Sequence, residues 1–260
     1  MEASLFQQII TAAFVAAAAS LLGSFAILKK MALVGDAMSH VALPGIALAL
    51  LFNFNPFLGA IAFLTAAVAG IWIIQYRSNL STETIVGVFF TASLALGALI
   101  TPEHELLESL LGNITTISSL ESLASIILSA ILIASILSIR KKLALSMVSS
   151  ELAQSIGIKN KRLEFIFLMI FALVVALGIR FVGALLMGSL VIIPAASAKN
   201  ISKSLGNFMG LSVVFGIISS VLGIYISSFY DLAPGPIFIL IGAVFFIVSL
   251  IIRKAKNKSN

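Results

Sequence analysis

Nine runs of predominantly apolar residues govern what this chain of 260 residues can become: 9–28, 31–52, 56–76, 84–100, 117–139, 163–179, 181–198, 205–227 and 236–252. Each is close to the ~20 residues a helix needs to cross the hydrocarbon of a bilayer. In lipid, a spanning segment must satisfy its own backbone N–H and C=O groups, and runs of this length do so as helices. The expected fold is therefore all-α, a polytopic membrane protein of about nine transmembrane helices (eight or nine). The count turns on Arg180, the single residue between the sixth and seventh runs. Joined into one helix, those runs would extend about 54 Å, too far for one crossing. Gly178 and Gly183 flank Arg180 and suit a tight reversal or a broken helix.

The charges test this layout. With 60% hydrophobic and 10% charged residues, the chain is not an ordinary soluble domain. The net charge of +6 could suggest a nucleic-acid binder, but the basic residues lie between the apolar runs. Lys29, Lys30, Arg77, Arg140, Lys141, Lys142, Lys159, Lys161, Arg162, Lys199, Lys203, Arg253, Lys254, Lys256 and Lys258 all fall on one side when connections alternate; Arg180 falls on the other. By the positive-inside rule the N-terminus is outside, the C-terminus is cytoplasmic, and the number of crossings is odd. Outside the runs, Glu2, Glu103, Glu105, Glu108 and Asp231 fall on the external side. The chain has no cysteine, which excludes disulfides and thiolate metal sites. The first run lacks a basic n-region and a cleavage site, so it is expected to stay as a span. No phosphate-binding Gly-x-x-x-x-Gly-Lys-Ser/Thr loop occurs, so the chain is not expected to hydrolyse ATP or to be an enzyme.

Chemistry concentrates in the second run. Asp36 and His40 interrupt it four residues apart, a spacing that puts both on one helix face. An ionisable residue within a span is costly, by roughly 2.5–3.5 kcal/mol on insertion scales, so it points to function. A carboxylate and an imidazole together can ligate a divalent cation or relay protons. The plainer alternatives are a helix N-cap for Asp36 and a core histidine bonded to a carbonyl for His40. Pro44 and Gly45 follow and can kink or weaken the helix; Pro194 should kink the seventh run. His104, on the external side, is a weaker metal candidate, as is Glu83, whose first-turn position also suits the helix dipole. Glu121, early in the fifth run, suits a wet interior.

One cytoplasmic connection, 140–162, stands out. Ser149 or Ser150 can cap a short helix, Glu151 suits its first turn, and Gly157 can end it. Such an element either docks in a partner's groove or lies on lipid headgroups.

Four blocks now give the chain a family resemblance. Lys30 through Gly45, with Gly35-Asp36-Ala37-Met38-Ser39-His40 at its centre, resembles the motif of membrane permeases of zinc and manganese ABC importers, the ABC-3 family. Phe181–Leu186 continuing through Ile192–Ala198, Leu111-Gly112-Asn113-Ile114, and Tyr230-Asp231-Leu232-Ala233-Pro234-Gly235-Pro236 are similar to three further family blocks, in order along nearly the whole length. The resemblance implies a type II, vitamin-B12-importer-like permease in a prokaryotic cell (inner) membrane, working as a homodimer. It implies two ATPase subunits that bind the ATP and an external metal-binding lipoprotein or periplasmic protein that delivers the ion. Asp36 and His40 correspond to its pathway ligands. Ser150, Glu151, Leu152, Ala153, Ile156 and Gly157 match its ATPase-coupling region, although members often carry an acid where Ser149 stands. Residues 1–260 then form one permease domain with a basic cytoplasmic tail at 253–260. The cargo is expected to be Zn2+, from the Tyr230–Pro236 block, with Mn2+ or Fe2+ as the alternative. No permanent cofactor and no nucleic acid are implied, and membrane lipid surrounds the chain. A proton-coupled secondary metal transporter is the competing class. It often shows inverted repeats, and none is evident here.

Overall fold

The computed structural model describes residues 4–78, 80–100, 117–230 and 232–258. Among them the chain forms helices and connections only: α1 (Leu5–Leu28), α2 (Val34–Val41), α3 (Leu43–Leu51), α4 (Pro56–Arg77), α5 (Thr82–Ile100), α6 (Ser119–Val148), α7 (Ser150–Ser155), α8 (Asn160–Val182), α9 (Met187–Ile201), α10 (Leu205–Tyr230) and α11 (Pro234–Lys258). Among the described residues, eight segments are long and apolar enough to cross a bilayer, with α2 and α3 counting as one.

Helix α1 occupies the centre. It starts at a capping box in which Gln7 N–H donates to Ser4 Oγ and Ser4 N–H donates to Gln7 Oε1. Its middle is built of Ala, Gly and Ser, and these small residues let α6, α8, α9 and α10 close around it. A Cβ on Gly216 of α10 would strike Ser20, and one on Gly23 would strike the Val191 carbonyl of α9. Ser212 Oγ donates to the Ser20 carbonyl at 2.7 Å, so a hydrogen bond also joins α10 to α1.

The second crossing is interrupted between α2 and α3 at Ala42. Pro44, in the first turn of α3, has no N–H to offer the carbonyl four residues back, that of His40. Gly45 then allows α3 to touch α4: a Cβ there would land on the Gly59 carbonyl, and one on Gly59 on that of Gly45.

The region around Arg180 departs from the sequence expectation. Arg180 is not the point of reversal; it lies within the last turn of α8. The helix ends two residues later, at Gly183, whose φ of 87° and ψ of 161° lie where only glycine is unstrained. Residues 183–186 make the turn, and α9 has only 15 residues, about 22 Å. The seventh apolar run is thus a short helix rather than a full-length span, and Pro194 lies inside it. Arg180 Nη2 pairs with Glu121 Oε1 at 2.9 Å, so Glu121 is held by a partner at the mouth of α6. A second close ion pair among the described residues, Lys29 Nζ to Glu164 Oε2 at 2.7 Å, joins the end of α1 to the start of α8.

The long connection 140–162 is also more ordered than its composition suggested. Helix α6 runs 30 residues, carrying Arg140, Lys141 and Lys142 beyond the apolar stretch. The C-terminal helix is fastened to α9: Asn200 Nδ2 donates to Ser249 Oγ at 3.0 Å, and Arg253 Nη1 to Asn200 Oδ1 at 3.2 Å.

Candidate metal-translocation site

Helix α2 has only eight residues, and its two faces differ in kind. The Gly35, Met38 and Ser39 side is buried, while Asp36 is exposed and His40 half-buried. The buried side is clamped to α8 and α9. A Cβ on Gly188 would come within 2.7 Å of the N, Cα and Cβ atoms of Asp36, so the α9 backbone lies directly against that residue. Ser39 Oγ sits 2.7 Å from the Asp36 carbonyl and 2.6 Å from the carbonyl of Ala184, in the turn before α9. Gly35 faces Gly188, Phe171 and Val191.

This geometry removes one alternative for Asp36. The N-cap of α2 is Leu33, with no side-chain cap, and Asp36 stands three residues into the helix. Its carboxylate is therefore free of capping and is stabilised there by the positive end of the helix. His40 lies one turn further on, so the two side chains are ~6 Å apart at Cβ. Among the described residues its Nδ1 is buried without a hydrogen-bond partner, so the satisfied core histidine is not what is seen. The imidazole instead meets the Phe90 ring of α5, with centroids 5.4 Å apart and planes tilted by 58°.

The other candidates lie apart. Glu83 is exposed in the first turn of α5. Among the described residues no three His, Cys, Asp or Glu side chains converge on one metal position. His104 lies outside the described residues, as do the Leu111–Ile114 block and Asp231. Sequence reasoning did not assign roles to Ser39, Ala184 and Phe90, and the Gly-x-x-x-x-Gly spacing of Gly183 and Gly188 read only as close helix packing, with no partner named. Ser39 was inside the motif, but its partner lies 145 residues away.

At the cytoplasmic end, Ser149 is the cap of α7, its Oγ accepting from Leu152 N–H at 3.1 Å. Ser150 is therefore the first helical residue, and Asn160 Nδ2 donates to its carbonyl at 3.0 Å, tying α7 to α8. Ala153 is fully buried, whereas Leu152 and Ile156 are 57% and 64% exposed. Gly157, with φ of 85°, closes the helix. A cleft of about 550 Å³ beside it is lined by Gln154, Gly157, Lys159, Lys161 and Arg162.

Among the described residues, eight long apolar helical segments, one short helix and an ionisable pair on an interrupted span give the architecture of a multi-span membrane protein. The chain belongs to the ABC 3 transport family, whose model matches residues 1–253. It is 32% identical over 256 residues to the high-affinity zinc uptake system membrane protein ZnuB of Haemophilus influenzae, covering 96% of this chain and 98% of that one. It is 30% identical over 256 residues to the manganese transport system membrane protein MntC of Listeria monocytogenes, covering 96% and 91%. The structure of PsaBC from Streptococcus pneumoniae in complex with Fab superposes with a TM-score of 0.82 at 31% identity, over 94% of this chain and 90% of that one. The chain is thus a membrane permease subunit of an ABC transporter, with the all-α, type II-like fold of that family.

Proposed function

We propose that two copies of this chain form the transmembrane path of an ATP-driven importer of a divalent transition metal, with Asp36 and His40 as ligands met in transit. The observation that carries this is an exposed carboxylate, one turn from a half-buried imidazole, within a crossing. A carboxylate facing lipid there would be costly, so the surface that bears it suits a second protein copy or a wet path. Each copy offers two ligands, and among the described residues no third joins them. A two-fold pair would supply four. A site assembled from two halves also comes apart, and an ion in transit must leave as well as enter.

The relatives named for metal uptake support this cargo class. A carboxylate–imidazole set suits zinc, manganese and ferrous iron alike. Zinc is the proposed ion, on the resemblance of the Tyr230–Pro236 block to zinc permeases. Manganese is the second reading, supported by the likeness to the Listeria protein. Two ATPase subunits would dock on α7 through Ser150, Glu151, Leu152, Ala153, Ile156 and Gly157, and an external metal-binding protein would deliver the ion. The breaks at Pro44–Gly45 and Pro194 are proposed as the points where the path flexes. Glu83 and His104 are proposed only as approach residues. The domain assignment is one permease unit at 1–260, with the ATPase-facing segment at 140–162 and the basic tail at 253–260.

The test is metal uptake by proteoliposomes holding the chain with its ATPase and binding protein. Zinc, manganese and iron are offered in turn, with and without ATP. Expected is ATP-dependent uptake that His40→Ala reduces at least tenfold. Uptake that ignores ATP and follows a pH gradient would instead establish a secondary transporter.

A further inference from the structure

A histidine that holds a metal through one ring nitrogen almost always donates the other ring N–H to a carboxylate, carbonyl or water. That outer bond fixes the tautomer and the ring orientation and strengthens the ligand. His40 does not follow this pattern. Among the described residues Nδ1 is buried and has no hydrogen-bond partner. Asp36 is on the same helix but presents its carboxylate outward. What meets the imidazole from the neighbouring helix is the Phe90 ring, 5.4 Å away and tilted by 58°. A tilted aromatic pair at that distance restrains orientation while offering, at most, a π face far weaker as an acceptor than a carboxylate or carbonyl.

We infer that Phe90 is a positioning residue for His40. It takes the place of the missing outer hydrogen bond and sets the angle of the imidazole while leaving its affinity for metal low. This rests on the proposed ligand role of His40. It also assigns α5 a part in the path: since Phe90 belongs to α5 and His40 to α2, a shift between these packed helices re-aims the ligand. A hydrogen bond to a fixed acceptor would hold the ring more stiffly and retain the ion longer.

The experiment measures zinc binding to the purified permease–ATPase complex by competition with a chromophoric chelator, and maximal zinc uptake by the same complex in proteoliposomes. Phe90→Ala is expected to weaken binding about tenfold, the lower bound for losing an outer-shell contact. Phe90→Tyr should restore binding, since it keeps the ring. Phe90→Gln supplies an amide oxygen to Nδ1 and should bind zinc more tightly while lowering the maximal uptake rate; misfolding cannot produce such a gain. Unchanged binding in Phe90→Ala, or weaker binding in Phe90→Gln than in Phe90→Ala, overturns the inference. His40→Ala run alongside separates the two levels. If it abolishes binding while the Phe90 variants do nothing, only the positioning role falls. If it binds zinc like the wild type, the ligand reading falls as well.

Discussion

At the scale of the residue, the contact between Gly188 and Asp36 is the tightest constraint on the proposed site. A Cβ at 188 would stand 2.7 Å from three atoms of Asp36, two of them backbone, so neither helix can yield by rotating a side chain. Gly188→Ala should therefore push α9 away from α2, costing about 1–3 kcal/mol as overpacking does. Thermal unfolding of the purified protein, read beside zinc binding, checks this: both should fall. Asp36 and His40 were legible in the sequence because ionisable groups stand out against an apolar run. Ser39 and Phe90 were not, and Gly188 was legible as close packing but not as the neighbour of Asp36. A serine or glycine in a span is unremarkable until its partner from a distant helix is known, and local periodicity carries no such information. An aromatic on a lipid-rich helix such as α5 likewise reads as packing.

At the scale of the element, the two surprises share one cause. The sequence leaves a tight reversal or a broken helix open around Arg180, where charge interrupts hydropathy between Gly178 and Gly183, yet charge does not itself end a helix. Backbone conformation does, and Gly183 is where α8 adopts a φ of 87°. Arg180 stays helical and finds Glu121, each about a third exposed, a pairing of modest worth in contact with water. In the same way α6 continues past Ile139 through three basic residues, because Arg and Lys are good helix formers. Helix α7 was visible from its cap and terminal glycine, with the cap now resolved as Ser149. Its apolar tip gives a direct prediction. Leu152→Asp alters an exposed side chain and should leave thermal stability within about 0.5 kcal/mol. It should nevertheless lose co-purification with the ATPase subunit.

At the scale of the whole molecule, the body is arranged in shells. Helices α1 and α8 are buried on most sides, α2–α3 nearly so, and α5, α6 and α11 show long apolar faces outward. This is the order expected when a small-residue helix draws its neighbours close and long side chains are left for lipid. Among the described residues, the eight long spans counted with the short helix α9 give an odd number of passages, in keeping with basic residues gathered on one side. A protease added outside right-side-out cells should accordingly remove an N-terminal epitope tag and spare a C-terminal one. Loss of the C-terminal tag alone would reverse the assigned orientation, and cleavage of both, or of neither, would put the two termini on one side and overturn the odd number of passages.

The brevity of α9 alters the electrostatics around it. A helix of about 22 Å standing in a hydrocarbon layer of ~30 Å leaves several ångströms to be spanned by non-helical backbone, whose carbonyls must find donors. Leu186 N–H supplies one for Gly183, and the Ser39 hydroxyl lies against that of Ala184. Polar peptide groups thus reach inward immediately behind Asp36. A charge travelling past this point would face a low-dielectric slab thinner than the membrane itself, and the work of carrying it across falls with that electrical thickness.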